Sequence, residues 1–348
     1  VRRAVGAVVD PMLRCPLGEF DLVGDLEGSP SGVVTMTVRR LLSDETDWLP
    51  LRSSIEAAAM SVPGVQQARI ERSPLGDAER ADLAKRLRAK NRRPGGLGTT
   101  TRVYAVGSGK GGVGKSSLTA NLAVALAESG QRVGLLDADV WGYSAPQLFG
   151  VREAPIAVKG VMLPIPAHGV QVMSIGFFVR EEEPVVWRGP MLQKALEQLL
   201  DDVYWGTLDV LLIDLPPGTG DVPLTILELL PDAALLVVTT PQTAAEQVAA
   251  RVGRMALDSR MPIAGVIENM SGGPFGAGGG ARLASTLGTS LLGQVPMDQQ
   301  LCEAGDCGVP LVLSRPDTPA AIEIRRLAHA LPVLRPSLVG KALPLFVS

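Results

Sequence analysis

Residues 107–117 read GSGKGGVGKSS and follow RVYAV, an apolar run of β-branched and aromatic residues that predicts a strand. Counted from Gly109, the stretch completes G-x-x-x-x-G-K-[ST], a phosphate loop that requires a strand before it and a helix after it. Its glycines let the backbone curl around phosphate without Cβ clashes. The motif assigns Gly107, Ser108, Gly109, Lys110, Gly111, Gly112, Val113, Gly114, Lys115, Ser116 and Ser117 to nucleotide binding. Backbone N–H groups cradle the phosphates of ATP, Lys115 neutralises them, and the Ser116 hydroxyl meets Mg²⁺. One lysine satisfies this motif, yet the stretch holds two, and Lys110 needs a separate explanation.

From residue 101 onward, strand and helix patterns alternate. RVYAV, RVGLLD, VQVMSI, DVLLID, ALLVVTT, IAGVIE and SLLGQV are nearly continuous apolar runs, as expected of strands covered on both faces. Helical stretches such as SSLTANLAVALAES and TAAEQVAARVGRMALDS lie between them. The alternation predicts an α/β fold with a doubly wound, mostly parallel sheet, whose ligands sit at the carboxyl ends of the strands. Residues 1–76 mix short strand and helix patterns and predict a small α+β domain. Residues 77–100 read as a charged helix and a Gly/Pro linker, 101–334 as the P-loop ATPase domain, and 335–348 as a C-terminal tail. The charged helix carries seven Lys/Arg against three acids over 77–93, which reads as a solvated face.

Two strands deliver carboxylates at their ends. LLDAD supplies Asp137 and Asp139, and LLIDLPPGTGD supplies Asp214. Mg²⁺ takes one or two carboxylates, phosphate oxygens and waters, so Asp214 is expected in the metal shell, acting through a water. Asp139, farther out on its loop, is expected to orient the attacking water. Asp137 either joins this set or caps the element that follows.

Composition narrows the classes. A net charge of −3 argues against bulk electrostatic binding to nucleic acid. No apolar run approaches the roughly 20 residues of a membrane span. Three cysteines (Cys15, Cys302 and Cys307) fit a reducing cytoplasm better than a disulfide scaffold. A cytoplasmic protein with no membrane partner is expected.

Lys110 within K-G-G-x-G-K-S resembles the signature lysine of the deviant Walker A ATPases, the group that includes ParA and MinD. The resemblance implies a homodimer in which Lys110 reaches the partner's nucleotide as a cationic clamp. LLDADVWGYSAPQLFG, VVWRGPMLQKAL, IENMSG, LLGQVPMD and AGDCGVPLV resemble, in order, the motifs of Mrp/ApbC-type iron–sulfur cluster carriers. VVDPMLRCP and VPGVQQARI are similar to the ends of the small MIP18-type domain found fused to them. The family resemblance implies binding of an iron–sulfur cluster, delivery to apo client proteins, and an adenine contact from Asn269.

The resemblance fails where the cluster should sit. The family's C-x-x-C pair follows E-N-M-S, whereas this chain reads ENMSGGPFGAGGGARLAS and has no cysteine from 16 to 301. Cys302 and Cys307 in QLCEAGDCGVP are the alternative cluster ligands, and Cys15 a transient acceptor. His168 and His329 are isolated and read as structural. Two other functions stay open on the residues: an ATP-dependent spatial switch of the ParA or MinD kind, and an ATPase scaffold that carries no cluster.

Overall fold

The computed structural model describes residues 1–41, 48–90, 97, 100–179 and 189–333. The expected tail at 335–348, most of the linker after Lys90, and the start of the VVWRGP motif lie outside these residues. Two compact units are present: Val1–Gly96 with Pro155–Pro166 and Leu200–Thr207, and Leu97–Ala154 with Ala167–Leu199 and Leu208–Ser348.

The first unit opens with a short helix, α1 (Arg2–Gly6), then the strands β1 (Val23–Gly28) and β2 (Val33–Arg40). Helix α2 (Trp48–Met60), strand β3 (Gln67–Pro74) and helix α3 (Asp77–Lys90) follow. β2 is central, antiparallel to β1 and parallel to β3. Its VVTMTVRR alternation puts Val34, Met36, Val38 and Arg40 on one buried face, as a period of two requires. Arg40 is buried with Asp10, 3.2 Å away. α3 carries Asp77 and Glu79 in its first turn and Arg88 and Lys90 in its last, matching its dipole, and buries Leu83, Ala84 and Leu87. Val158, Val161, Leu163 and Tyr204 join the same core from far along the chain.

The second unit begins with β4 (Arg102–Ser108), α4 (Lys115–Glu128), β5 (Val133–Asp137) and α5 (Ala145–Leu148). The chain then forms a hairpin, β6 (Ile156–Val158) and β7 (Val161–Leu163), that belongs to the first unit. It continues through β8 (Ile165–Ala167), β9 (Val170–Ser174), α6 (Gly189–Asp201), β10 (Val210–Asp214), α7 (Asp221–Leu229), β11 (Ala234–Thr239) and α8 (Thr243–Asp258). The last elements are β12 (Ile263–Ser271), α9 (Gly279–Leu287), β13 (Leu291–Pro296), α10 (Gln299–Asp306), α11 (Leu311–Ser314) and α12 (Pro319–Ala330).

Eight strands form one sheet in the order β13-β12-β11-β4-β10-β5-β9-β8. The pairs from β13 to β9 are parallel. β5, β10 and β11 are buried at every position, which explains their unbroken apolar sequences. Strand order reverses beside β4, so its carboxyl end opens on the crevice where such sheets hold ligands. Among the described residues, no helix is long and apolar enough to cross a membrane.

Candidate functional site

Register alone assembles the polar floor of the site. Asp214 at the end of β10 pairs with Asp137 at the end of β5 and with Val106 of β4, while Asp137 pairs with Ser174 of β9. Neighbouring strands lie about 4.8 Å apart, so the last residues of adjacent strands are within reach of one another. The expected phosphate loop sits above this floor, between β4 and α4.

Two loop glycines have a backbone that side-chain residues rarely adopt: Gly112 has φ +77° and Gly114 has φ +76°. Gly114 precedes α4, and among the described residues no side chain caps that helix. Its first N–H groups thus stay available to an anion, where the helix dipole favours one. Gly109 is fixed for another reason, because a Cβ there would lie 2.3 Å from the Ala249 nitrogen of α8. A pocket of about 410 Å³ is lined by Ser108, the loop from Lys110 to Ser117, Asp139, Trp141, Gly142 and Pro217. That volume suits a small-molecule ligand. Gly107 and Gly109 are not part of this lining.

Lys115 is buried, and its ammonium donates to Asp214 Oδ1 at 2.7 Å and to Ser116 Oγ at 3.2 Å. Asp139 Oδ2 lies 4.0 Å from the same nitrogen. Thr119, one turn further along α4, donates to Asp214 Oδ1 at 3.2 Å and to the Lys115 carbonyl at 2.8 Å. The structure therefore brings together Lys115, Ser116, Asp139 and Asp214. Thr119 was not expected from the motif; its i+4 offset from Lys115 is the only sequence signal for it.

Asp137 serves as a cap. Its Oδ2 accepts from the backbone N–H groups of Ser144 and Ala145, at the start of α5, and from Ser174 Oγ, all at 3.0 Å. Its Oδ1 accepts from Asp139 N at 3.1 Å. It thereby holds both ends of the loop that carries Asp139. Burial, and then the charge of Asp214, push the Asp137 carboxyl up to about 7, against the opposing pull of its hydrogen bonds. Burial also raises Asp139, while Lys115 opposes the rise. Asp139 Oδ1 accepts from the N–H groups of Trp141 and Gly142, which aims the carboxylate from beneath. Trp141 itself is 68% exposed at the pocket wall.

Lys110 lines the pocket and donates to Gln242 Oε1 at 3.3 Å. Asn269, expected at the adenine, is 1% exposed and is not part of this lining. Its Nδ2 donates to the Val113 carbonyl at 2.9 Å, bracing the phosphate loop, and its Oδ1 is buried with no partner among the described residues. Glu268, the preceding residue of β12, accepts from Ser271 Oγ, Gln294 Nε2 and the N–H groups of Gly278 and Gly280. It thus clamps the glycine-rich loop that follows β12.

The thiols divide by exposure. Cys15 is buried, and desolvation followed by the Asp10 charge pushes it up to about 12, so it carries little thiolate. Cys302 and Cys307 are exposed, on α10 and at its C-cap. Five residues of helix turn them about 140° apart around the axis. His168 is tied to the Gly308 carbonyl at 3.3 Å and His329 lies on α12. Among the described residues, no three His, Cys, Asp or Glu side chains gather as a metal site.

An iron–sulfur cluster carrier protein of Mycobacterium bovis is 45% identical, with 99% of this chain and 96% of that protein aligned. A protein of the same name from Bacillus subtilis is 38% identical across 86% of this chain and 88% of its own. A nucleotide-binding protein from Archaeoglobus fulgidus, solved in complex with ADP, superposes with a TM-score of 0.51. It is 34% identical and covers 60% of this chain and 87% of its own. The cell division ATPase MinD of Pyrococcus furiosus shares the fold, with a TM-score of 0.53 at 24% identity over 66% of this chain and 97% of its own. The family described as ParA, NUBPL iron-transfer P-loop NTPase, matches residues 99–332. With a phosphate loop, a buried lysine and strand-end carboxylates in these positions, the chain belongs to that family of P-loop ATPases.

Proposed function

We propose that this ATPase works as a Mg²⁺-dependent homodimer that takes up an iron–sulfur cluster and passes it to apo client proteins in the cytoplasm. The observation that carries the nucleotide half is the Lys115 ammonium, held between Asp214, Ser116 and Asp139 at the mouth of the glycine loop. A hydroxyl and a carboxylate, both hard oxygen donors, fit Mg²⁺. When bound, Mg²⁺ would neutralise charge on the β- and γ-phosphates.

The residues divide the work as follows. Lys115 exchanges Asp214 for phosphate oxygens, and the loop N–H groups from Gly111 to Ser117 bind the rest of the phosphate chain. Ser116 and the released Asp214 are the residues that would hold Mg²⁺, Asp214 through a water. Asp139 orients the attacking water, and Lys110 stabilises the charge of the phosphoryl group across the dimer. Asn269 supports the loop under the nucleotide through its Nδ2, which leaves its Oδ1 as the amide atom for the base edge.

The cargo half draws on the names of the relatives. Cys302 and Cys307 are the exposed thiols and the proposed ligands, contributed by each protomer to a cluster shared across the dimer. Their angular separation means that the end of α10 must unwind for both thiols of one protomer to reach the same cluster. The test is anaerobic reconstitution with iron and sulfide, with and without Mg·ATP, beside Cys302→Ser, Cys307→Ser and the double variant. Stoichiometric iron and sulfide per dimer, lost with the thiols and transferable to an apo-ferredoxin, is the expected result. No cluster on the wild type would overturn the carrier function and leave a cluster-free ATPase scaffold.

A further inference from the structure

We infer that Gln242 is a positioning residue that holds the Lys110 side chain in its own subunit and sets how readily that lysine is released to a nucleotide phosphate. The inference rests on the reading of Lys110 as the cationic clamp.

The two lysines of the loop are held very differently. Lys115 is buried against a carboxylate at 2.7 Å, whereas Lys110 makes no ion pair among the described residues. Among the described residues its one side-chain partner is the neutral amide oxygen of Gln242, at 3.3 Å. A hydrogen bond to a carboxylate is about twice as strong as one to a neutral acceptor. The acceptor therefore decides whether the ammonium is trapped or exchangeable.

The surroundings make the hold weaker still. Gln242 is the N-cap of α8, a 16-residue helix, so Lys110 places its cation beside the positive end of a helix dipole. Glu246, the acid of that first turn, is engaged by Arg282 at 2.8 Å. The amide oxygen offsets this unfavourable location and is itself shared with Thr240 Oγ1 at 3.4 Å.

Both anchors are rigid. Gly109 has no space for even a Cβ against the α8 backbone at Val248 and Ala249. Ser108 Oγ donates to the Lys110 carbonyl at 3.0 Å. On the other side, the Gln242 carbonyl accepts from Ala245 N and Glu246 N at 2.9 and 3.1 Å, and Pro241 O is packed where a Cβ of Gly279 would sit at 2.6 Å. Backbone on both sides is fixed, so Lys110 leaves Gln242 by rotation of its own side chain. Gln242 thus acts as a weak, fixed catch on a mobile cation.

The test measures Mg·ATP hydrolysis by the full chain as a function of ATP and of protein concentration, for wild type, Gln242→Glu, Gln242→Ala and Lys110→Ala. Glutamate keeps the shape and suits a helix N-terminus, so Gln242→Glu should fold normally. It should lower kcat about tenfold while KM for ATP stays within about twofold, because a charged acceptor traps the lysine. Raising salt from about 50 to about 500 mM should recover much of the loss by screening the new ion pair, an effect absent from the wild type. Gln242→Ala should hydrolyse ATP at the wild-type rate or faster. Wild-type kcat in Gln242→Glu, with Lys110→Ala inactive, would overturn the role of Gln242 and leave the clamp reading standing. Equal, salt-insensitive losses in Gln242→Glu and Gln242→Ala would also overturn it. Full activity in Lys110→Ala would instead remove the clamp reading itself.

Discussion

Replacing Lys115 with methionine should destabilise the nucleotide-free protein as well as disable it. The ammonium sits 2.7 Å from Asp214 and 4.0 Å from Asp139, with Asp137, the register partner of Asp214 on the neighbouring strand, itself buried. Removing the cation leaves these carboxylates at the sheet end without their countercharge. Breaking a buried pair from one side costs about 3–5 kcal/mol. For a unit of this size that is a fall in melting temperature on the order of 10 °C. The effect should be asymmetric: Asp214→Asn alone costs less, since Lys115 keeps Asp139 within reach. Combining Lys115→Met with Asp214→Asn should recover much of the lost stability while hydrolysis stays absent. Thermal and urea unfolding without nucleotide measure this directly. Mg·ATP at about 100 times its Kd should add about 2.7 kcal/mol to the wild type and nothing to the Lys115 variants. A nucleotide-free Lys115→Met protein as stable as the wild type would refute the reasoning, because it would mean that the carboxylates do not depend on this lysine.

Asp139→Asn should reduce kcat by at least about 10²-fold with ATP affinity nearly unchanged, read by steady-state hydrolysis beside nucleotide titration; a large KM effect alone would contradict a role in orienting water. The Asp137 carboxyl, raised from its ordinary 3.8 to about 7, binds more protons folded than unfolded. Its contribution to stability is therefore full below about pH 4 and is lost as pH rises through about 7. Urea midpoints at several pH values should show the stability gap between wild type and Asp137→Asn narrowing from pH 5 to pH 8, and a constant gap would count against the shift. Trp141 is exposed at the pocket wall, whereas Trp48 and Trp205 are buried. Mg·ATP should change tryptophan emission in the wild type, and Trp141→Phe should abolish most of that change.

The phosphate loop, the parallel sheet and the two carboxylate positions were legible because each depends on local pattern plus one rule of strand placement. A strand that ends in aspartate delivers it to the ligand edge wherever the strand lies in the sheet, so Asp214 reaches Lys115, and Asp139 follows two residues beyond the Asp137 that ends β5. Asp137 had two readings, and the choice between them depends on Ser144, Ala145 and Ser174 donating to it. Gln242 was invisible as a partner of Lys110, since 132 residues separate them and TTPQ carries no chemistry of its own. The spacing of Cys302 and Cys307 suggested proximity, while the helix beneath them turns the two thiols away from each other. Asn269 shows the same limit from the other side: its contact with Val113 is a property of packing between β12 and the loop, not of the IENM motif.

The composition of the first unit has a consequence for how the protein is made. Its core needs Val158, Val161 and Leu163 from the hairpin and Tyr204 from beyond α6, although its other buried residues are all encoded before residue 88. On a ribosome adding roughly 5–20 residues per second, the early strands β1 to β3 wait on the order of 10 s for those side chains to emerge. During that interval the apolar face of β2 lacks part of its cover. An amino-terminal fragment cut near residue 96 would be left permanently in this waiting state, and a nascent chain stalled before residue 204 would be a natural client for a holding chaperone.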